Sequence, residues 1–304
     1  MGVATIISFC TNDYRFLGKC VQEARLFSRQ VIVSVCDHFF DGSPENRDLL
    51  NWAYHHHPDC DFIEFPYSQT TVYPTYFRYK PEESEWVHHW HSFGRLMGFY
   101  HVRPDIEWVL FLDCDEIPDG RRCLQYFERR EFLTLDAARL GCYYYALKPN
   151  LRALKVQELS LLVRRKALQP HFFYYGDERY AMYRCVRGAK QADVRGCDGR
   201  PLIHHYSWVR PELECYHKSR TWGHRSDRDW NAIIKDTFQG KRSLFGTNLQ
   251  FQEITDVYFD PLSVALPAGP APRSDFPHCR RLTFQDYTRL ELEWDPATAY
   301  HSAL

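Results

Sequence analysis

Apolar residues run almost unbroken at four places in the first 112 residues: positions 3–9, 31–35, 61–65 and 108–112. Runs this short with little polar interruption predict strands buried on both faces. Between the first two, Leu17, Val21, Ala24 and Phe27 recur at helical spacing. They predict a helix over 14–28, with Asn12 and Asp13 at its capped start. A second helix is expected over 46–54, after the turn cluster Asp41-Gly-Ser-Pro44. A third is expected over 88–101, where Phe93, Leu96, Met97 and Tyr100 make an apolar face. Alternating strands and helices signify a parallel sheet with crossover helices. Residues 66–86, interrupted by Pro66, Pro74 and Pro81, read as a loop over the sheet edge. Beyond Gly120 the pattern predicts helices over 121–135, 212–222 and 229–238, and strands over 142–147, 160–163 and 201–209. That half looks more antiparallel. From Gly240 onward Pro, Gly and polar residues dominate, and 266–273 reads as extended linker. We therefore expect one α/β domain over 1–239 and an extension, 240–304, wrapping the core.

The stretch Trp108-Val-Leu-Phe-Leu-Asp-Cys-Asp-Glu-Ile-Pro-Asp-Gly120 carries the chemistry. A buried strand delivers Asp113, Asp115 and Glu116 to one edge of a sheet, and Pro118 and Gly120 stop it from continuing. On an extended backbone Asp113 and Asp115 would point the same way. Carboxylates that close repel unless a cation or proton lies between them. Mg²⁺ or Mn²⁺ bound to a diphosphate would answer that need. The plain alternative is a set of turn formers and helix caps. On the helix before this strand, His91 and Arg95 share a face with His88, a basic surface suited to phosphate.

Composition narrows the possibilities. The 304 residues are 16% aromatic, which suits sugar faces and nucleobases as well as a core. The net charge of −1 gives no long-range attraction to nucleic acid or an acidic membrane. Eleven cysteines with no Cys-x-x-Cys pair argue against a disulfide framework and a zinc knuckle, and for a reducing compartment. No stretch is apolar for the ~20 residues a membrane helix needs. The expectation is a cytoplasmic protein. The triplet His55-His-His57 lacks a second ligand cluster, so a helix end is favoured over a zinc site.

Taken together, the pattern resembles an inverting glycosyltransferase of the GT-A fold, of the broad family 2 type. The likeness rests on Asp37 at the end of Ile32-Val-Ser-Val-Cys36, on Arg95-Leu-Met-Gly98, and on Phe111-Leu-Asp-Cys-Asp-Glu-Ile-Pro118. It rests also on His204-His-Tyr-Ser-Trp-Val-Arg-Pro211 with Lys218 and Trp222-Gly-His224. It covers about residues 3–225 and leaves 240–304 without a counterpart. It implies a mixed sheet flanked by helices, a nucleotide-sugar half over 1–120 and an acceptor half over 121–239. Thr11, Asn12 and Asp37 would hold the nucleotide, with Arg95 and Lys218 near its phosphates. Asp113 would touch ribose or a metal-bound water, Asp115 would bind Mn²⁺ or Mg²⁺, and His204 or His205 would complete the metal shell; His204 is the first choice. Catalytic-base candidates are Asp177 and Glu178, then Asp198. The implied partners are a nucleotide-diphosphate sugar and a saccharide acceptor. Two other readings remain open, a sugar nucleotidyltransferase and a non-catalytic carbohydrate-binding domain. The first would need a Gly-rich basic phosphate loop after the first strand, where Phe9-Cys-Thr-Asn-Asp-Tyr14 stands instead.

Overall fold

The computed structural model describes residues 2–67, 86–174, 178–186, 190–241, 243–272 and 275–293. The first half alternates as its apolar runs predict. Strand β1 (Val3–Phe9) leads into helix α1 (Tyr14–Ala24), β2 (Gln30–Cys36) into α2 (Arg47–His56), and β3 (Asp61–Phe65) is followed by α3 (Trp86–Tyr100) and β4 (Trp108–Asp113). These four strands lie parallel in the order β3-β2-β1-β4. Alternate residues of β1 serve two cores: Val3, Ile7 and Phe9 pack with α1 and α2, while Ala4 and Ile6 pack with α3. That double burial is why the runs show no polar alternation.

The second half adds antiparallel strands. The chain continues through β5 (Glu116–Pro118), α4 (Gly120–Glu128), β6 (Ala137–Ala146), β7 (Leu151–Ala153) and β8 (Gln157–Arg164). Then come α5 (Glu178–Cys185), β9 (Gln191–Val194), β10 (Ile203–Trp208), α6 (Glu212–Thr221) and α7 (Trp230–Phe238). Strand β8 lies antiparallel between β4 and β6, and β10 pairs with both β6 and β5. The result is an α/β fold, a mixed twelve-stranded sheet among the described residues, flanked by helices.

Two elements depart from expectation. The sequence predicts that the turn after β4 ends the strand, but Glu116–Pro118 resumes as β5 against β10. Pro118 is tolerated there because it closes the strand. The C-terminal extension carries regular structure: β11 (Phe251–Glu253) pairs with β7, β12 (Cys279–Arg281) lies parallel beside β3, and α8 (Phe284–Glu293) follows.

Helix α3 sits unusually close to the sheet. A Cβ on Gly98 would stand 2.6 Å from Ile6 Cγ2, and one on Gly94 would stand 3.1 Å from the Phe65 ring. The backbone of α3 also accepts a hydrogen bond from Ser34 Oγ, 2.6 Å from the Gly94 carbonyl oxygen. Ile6 is fully buried and has little room to retreat. Gly98→Ala is therefore expected to destabilise the fold by about 1–3 kcal/mol through overpacking, outweighing the helix-propensity gain. A chemical-denaturation midpoint at or above that of the parent would refute this.

Candidate functional site

The strand order decides where a site can form. From β1 the chain steps outward to β2 and β3, then returns to place β4 on the other side of β1. Open α/β sheets bind ligands in the crevice at the carboxyl ends of the strands where the order reverses. A cavity of about 290 Å³ lies there, bordered by Ser8 and Phe9 of β1, Cys36 of β2 and Asp113 of β4.

Its walls differ in character. Phe39, Phe40, Phe65 and Trp90 supply an aromatic side near the ends of β2 and β3. Asp113, Asp115, Arg179, His205 and Lys218 supply a charged side. Among the described residues the two aspartates are held by separate sets of partners. Asp113 closes β4, whereas Asp115 lies in the turn before β5 and is 3% exposed. Asp113 Oδ1 accepts from Arg95 Nη2 at 2.8 Å, and its Oδ2 accepts from Arg179 Nη2 at 3.3 Å. His91 Nε2 lies 3.4 Å from Asp113 Oδ1. Asp115 Oδ2 accepts from Lys218 Nζ at 2.7 Å and from Arg210 Nη2 at 3.2 Å. His205 Nε2 lies 3.4 Å from Asp115 Oδ1.

These neighbours set the ionisation state of the two aspartates. Burial by itself would raise the Asp113 carboxyl, but Arg179, Arg95 and His91 together hold it below the ordinary carboxylate range. For Asp115 burial is likewise outweighed, by Lys218, His205 and Arg210. The chain thus supplies its own counter-charges to the carboxylate pair.

Glu116 organises the surroundings from below. It is fully buried, and its two oxygens accept a fork from Arg179, with Nη2 to Oε1 at 2.7 Å. Its Oε2 also accepts from the Asp113 amide at 3.0 Å and from Ser160 Oγ at 3.1 Å. Arg179 lies in the first turn of α5, so this fork fixes the start of that helix beside Asp113. Glu178, the preceding residue, begins α5; Asp177 lies outside the described residues. Asp198, the reserve base candidate, is a turn residue paired with Arg122 and has no place in the cavity wall.

Strand alternation sorts the histidines. In β10 His205 pairs with Glu116 and faces the cavity, while His204 pairs with Ile117 and faces the opposite side. There His204 stacks on Tyr258 with ring centroids 4.1 Å apart, and its Nδ1 lies 2.8 Å from Tyr145 Oη. Burial, then Arg122, Arg152 and Lys19, push its imidazole down to about 3, so it is neutral. The first choice of His204 is therefore corrected: His205 is the histidine at Asp115.

The other expected residues divide similarly. Lys218 and Asn12 line the cavity. The Asn12 side chain is held by Thr221 Oγ1 at 2.7 Å and His217 Nδ1 at 2.6 Å. Thr11 is buried against Glu45. Arg95 is fully buried behind Asp113, whose carboxylate it holds at 2.8 Å, and is not among the residues bordering the cavity. Asp37 follows β2 directly, its Oδ1 taking the Tyr67 amide at 2.8 Å and lying 2.7 Å from His38 Nδ1. Three residues escaped the sequence reading: Glu45, Arg179 and Arg210. Arg179 adjoins the base candidates and Arg210 lies within the quoted histidine segment, but neither spacing marks an ion pair with an aspartate far away in sequence.

No family model matches this chain, and no curated protein matches it. Solved structures of similar arrangement include a 4-diphosphocytidyl-2C-methyl-D-erythritol synthase from Anaerococcus prevotii, at 10% identity and TM-score 0.39, covering 71% of this chain and 95% of that one. TarS 1–349 of S. aureus in complex with UDP-GlcNAc aligns at 10% identity and TM-score 0.44, over 80% of this chain and 77% of that one. An active-site mutant of LgtC aligns at 11% identity and TM-score 0.38, over 78% and 95%. These are likenesses of fold only.

Proposed function

We propose that this chain transfers a sugar from a nucleoside diphosphate to a hydroxyl of a saccharide acceptor. The observation that carries the reading is a pair of ionised aspartates at the sheet's switch point, framed by Arg95, Arg179, Arg210 and Lys218. The aromatic side of the same cavity suits the flat face of a nucleobase. The charged side suits a diphosphate, and Lys218 and Arg179, paired with Asp115 and with Glu116 and Asp113, are the cations in the cavity wall that would meet it.

Among the described residues no group of three His, Cys, Asp or Glu side chains converges as a ready metal cage. Asp115 and His205 nevertheless face each other at 3.4 Å, beyond an ordinary hydrogen bond. One carboxylate and one imidazole, completed by phosphate oxygens and water, is a donor set Mn²⁺ accepts. Asp115 and His205 would hold such an ion. The ion would supply charge neutralisation for the departing diphosphate. Within the chain, Lys218 and Arg210 keep Asp115 ionised, and Arg179 positions α5. Glu178, or Asp177 just before it, is the base we assign to the acceptor hydroxyl; the next residue, Arg179, forks onto Glu116 and reaches Asp113. Inversion, the course of a direct displacement, rests on the family 2 resemblance.

The test is release of nucleoside diphosphate from a panel of sugar nucleotides, with and without Mn²⁺. Pyrophosphate release from a nucleoside triphosphate with a sugar phosphate would favour a nucleotidyltransferase instead. Glycan binding without turnover would favour a binding domain. In the transferase case His205→Ala is expected to weaken Mn²⁺ dependence of turnover by about tenfold or more. His204→Phe, which keeps the stack, should remain near wild type. Equal, mild effects would remove histidine from the metal shell.

A further inference from the structure

Glu45 is a buried carboxyl in the wall of the cavity, and neither the sequence motifs nor the mechanism above uses it. It follows the 41–44 turn and precedes Asn46, the capping residue of α2. Its amide donates to the Asp37 carbonyl oxygen at 3.1 Å. Its side chain reaches across to the end of β1, where Oε2 accepts from the Thr11 amide at 3.0 Å and from Thr11 Oγ1. Oε1 is buried with no hydrogen-bond partner among the described residues.

The charged and titratable neighbours do not neutralise it. Asp13 and Cys10 flank it from the segment after β1, and Cys36 and Asp37 from the end of β2. Arg47, its nearest cation on α2, is committed to Glu64 at 2.8 and 2.9 Å. Arg210 and Lys218 are committed to Asp13 and Asp115. A carboxylate buried to this extent without a cation in contact is strongly disfavoured, so the group keeps its proton. We propose that Glu45 works as a neutral acid, and that binding of the nucleotide depends on its proton. In either state its Oε2 accepts from Thr11, at the β1 end that borders the donor. Ionised, it sets an unpaired negative charge in the wall of a cavity built for an anion. The proposal rests on the nucleotide reading above, which it deepens.

Burial pushes this carboxyl up to about 8, against the pull of the two Thr11 hydrogen bonds. Donor affinity should therefore hold steady below about pH 8 and fall about tenfold per pH unit above it. Glu45→Gln keeps an acceptor for Thr11 but cannot ionise. The experiment is calorimetric titration with UDP and with GDP, from pH 6.5 to 9.5, on wild type and Glu45→Gln. We expect the alkaline loss in wild type and a flat profile, within about threefold, in the variant. At pH 8.5, wild type titrated in buffers of different ionisation enthalpy should take up about three-quarters of a proton on binding, a readout that needs no variant. Identical pH profiles in both proteins, or no proton uptake, overturn the proposal while leaving the nucleotide reading intact. No binding of either nucleotide to wild type at pH 6.5 overturns both.

The same proton gives a ligand-free check. A folded-state value raised above the unfolded one means that stability falls as pH rises from about 4.5 to about 8. The melting temperature of Glu45→Gln should exceed that of wild type by a margin that widens over this window. A constant margin would count against the neutral acid.

Discussion

Asp115→Asn is expected to lower sugar-nucleotide turnover by about a hundred- to a thousandfold, the scale of losing one preorganised electrostatic partner in an active site. Asn keeps the shape of the side chain but removes the charge that meets His205, Lys218 and Arg210. The more drastic Asp115→Ala is a poorer probe. Beyond the charge, it also removes the oxygen that Asn would keep as an acceptor for Lys218 and the fully buried Arg210, and breaking a buried pair costs about 3–5 kcal/mol. A loss of activity in that variant would mix chemistry with unfolding. Turnover of the Asn variant, measured beside its thermal midpoint, separates the two. Undiminished turnover in a folded Asn variant would remove Asp115 from the mechanism. Because both aspartates titrate below the ordinary range when folded, their contribution to stability is present above about pH 4 and is lost on further acidification.

The second large effect concerns Glu116. It is fully buried and is the shared acceptor for Arg179, Ser160 and the Asp113 amide. Glu116→Ala should destabilise the protein by about 3–5 kcal/mol, because the Arg179 guanidinium remains buried without its fork partner. Glu116→Ala combined with Arg179→Met should cost less than the sum of the two changes, giving a coupling of about 1–3 kcal/mol. Additive effects in chemical denaturation would show that the fork does not hold α5 to β4. The double variant should also lose turnover even where it is folded, since α5 would no longer be fixed at Asp113.

The parallel half of the fold was legible because burial on both faces writes itself as continuous apolar runs, from Val3 to Phe9 and from Trp108 to Leu112. The strands missed were β5, β7, β9, β11 and β12, each of three or four residues. Segments that short carry no periodicity, and they exist only because a distant partner strand is present. The site divided along the same line. Asp113 and Asp115 follow a strand and announce themselves. Arg179 and Arg210 reach the aspartates through contacts 66 and 95 residues away in the chain. The choice between His204 and His205 depended on which face of β10 meets the cavity. Its pairing with the unforeseen β5 fixed that face. Glu45 gave no signal, since one acidic residue after a turn cluster looks like any solvated one.

Strand β12 has a consequence for how the molecule is made. Its residue Arg281 reaches Glu64 of β3, 217 residues earlier in the chain. During synthesis β3 emerges long before the strand that will cover its outer margin. Until then it offers bare amide and carbonyl groups to any extended segment nearby. Nascent chains stopped short of residue 279 should thus be the species most prone to self-association. Supplying the missing segment as a separate peptide should suppress it.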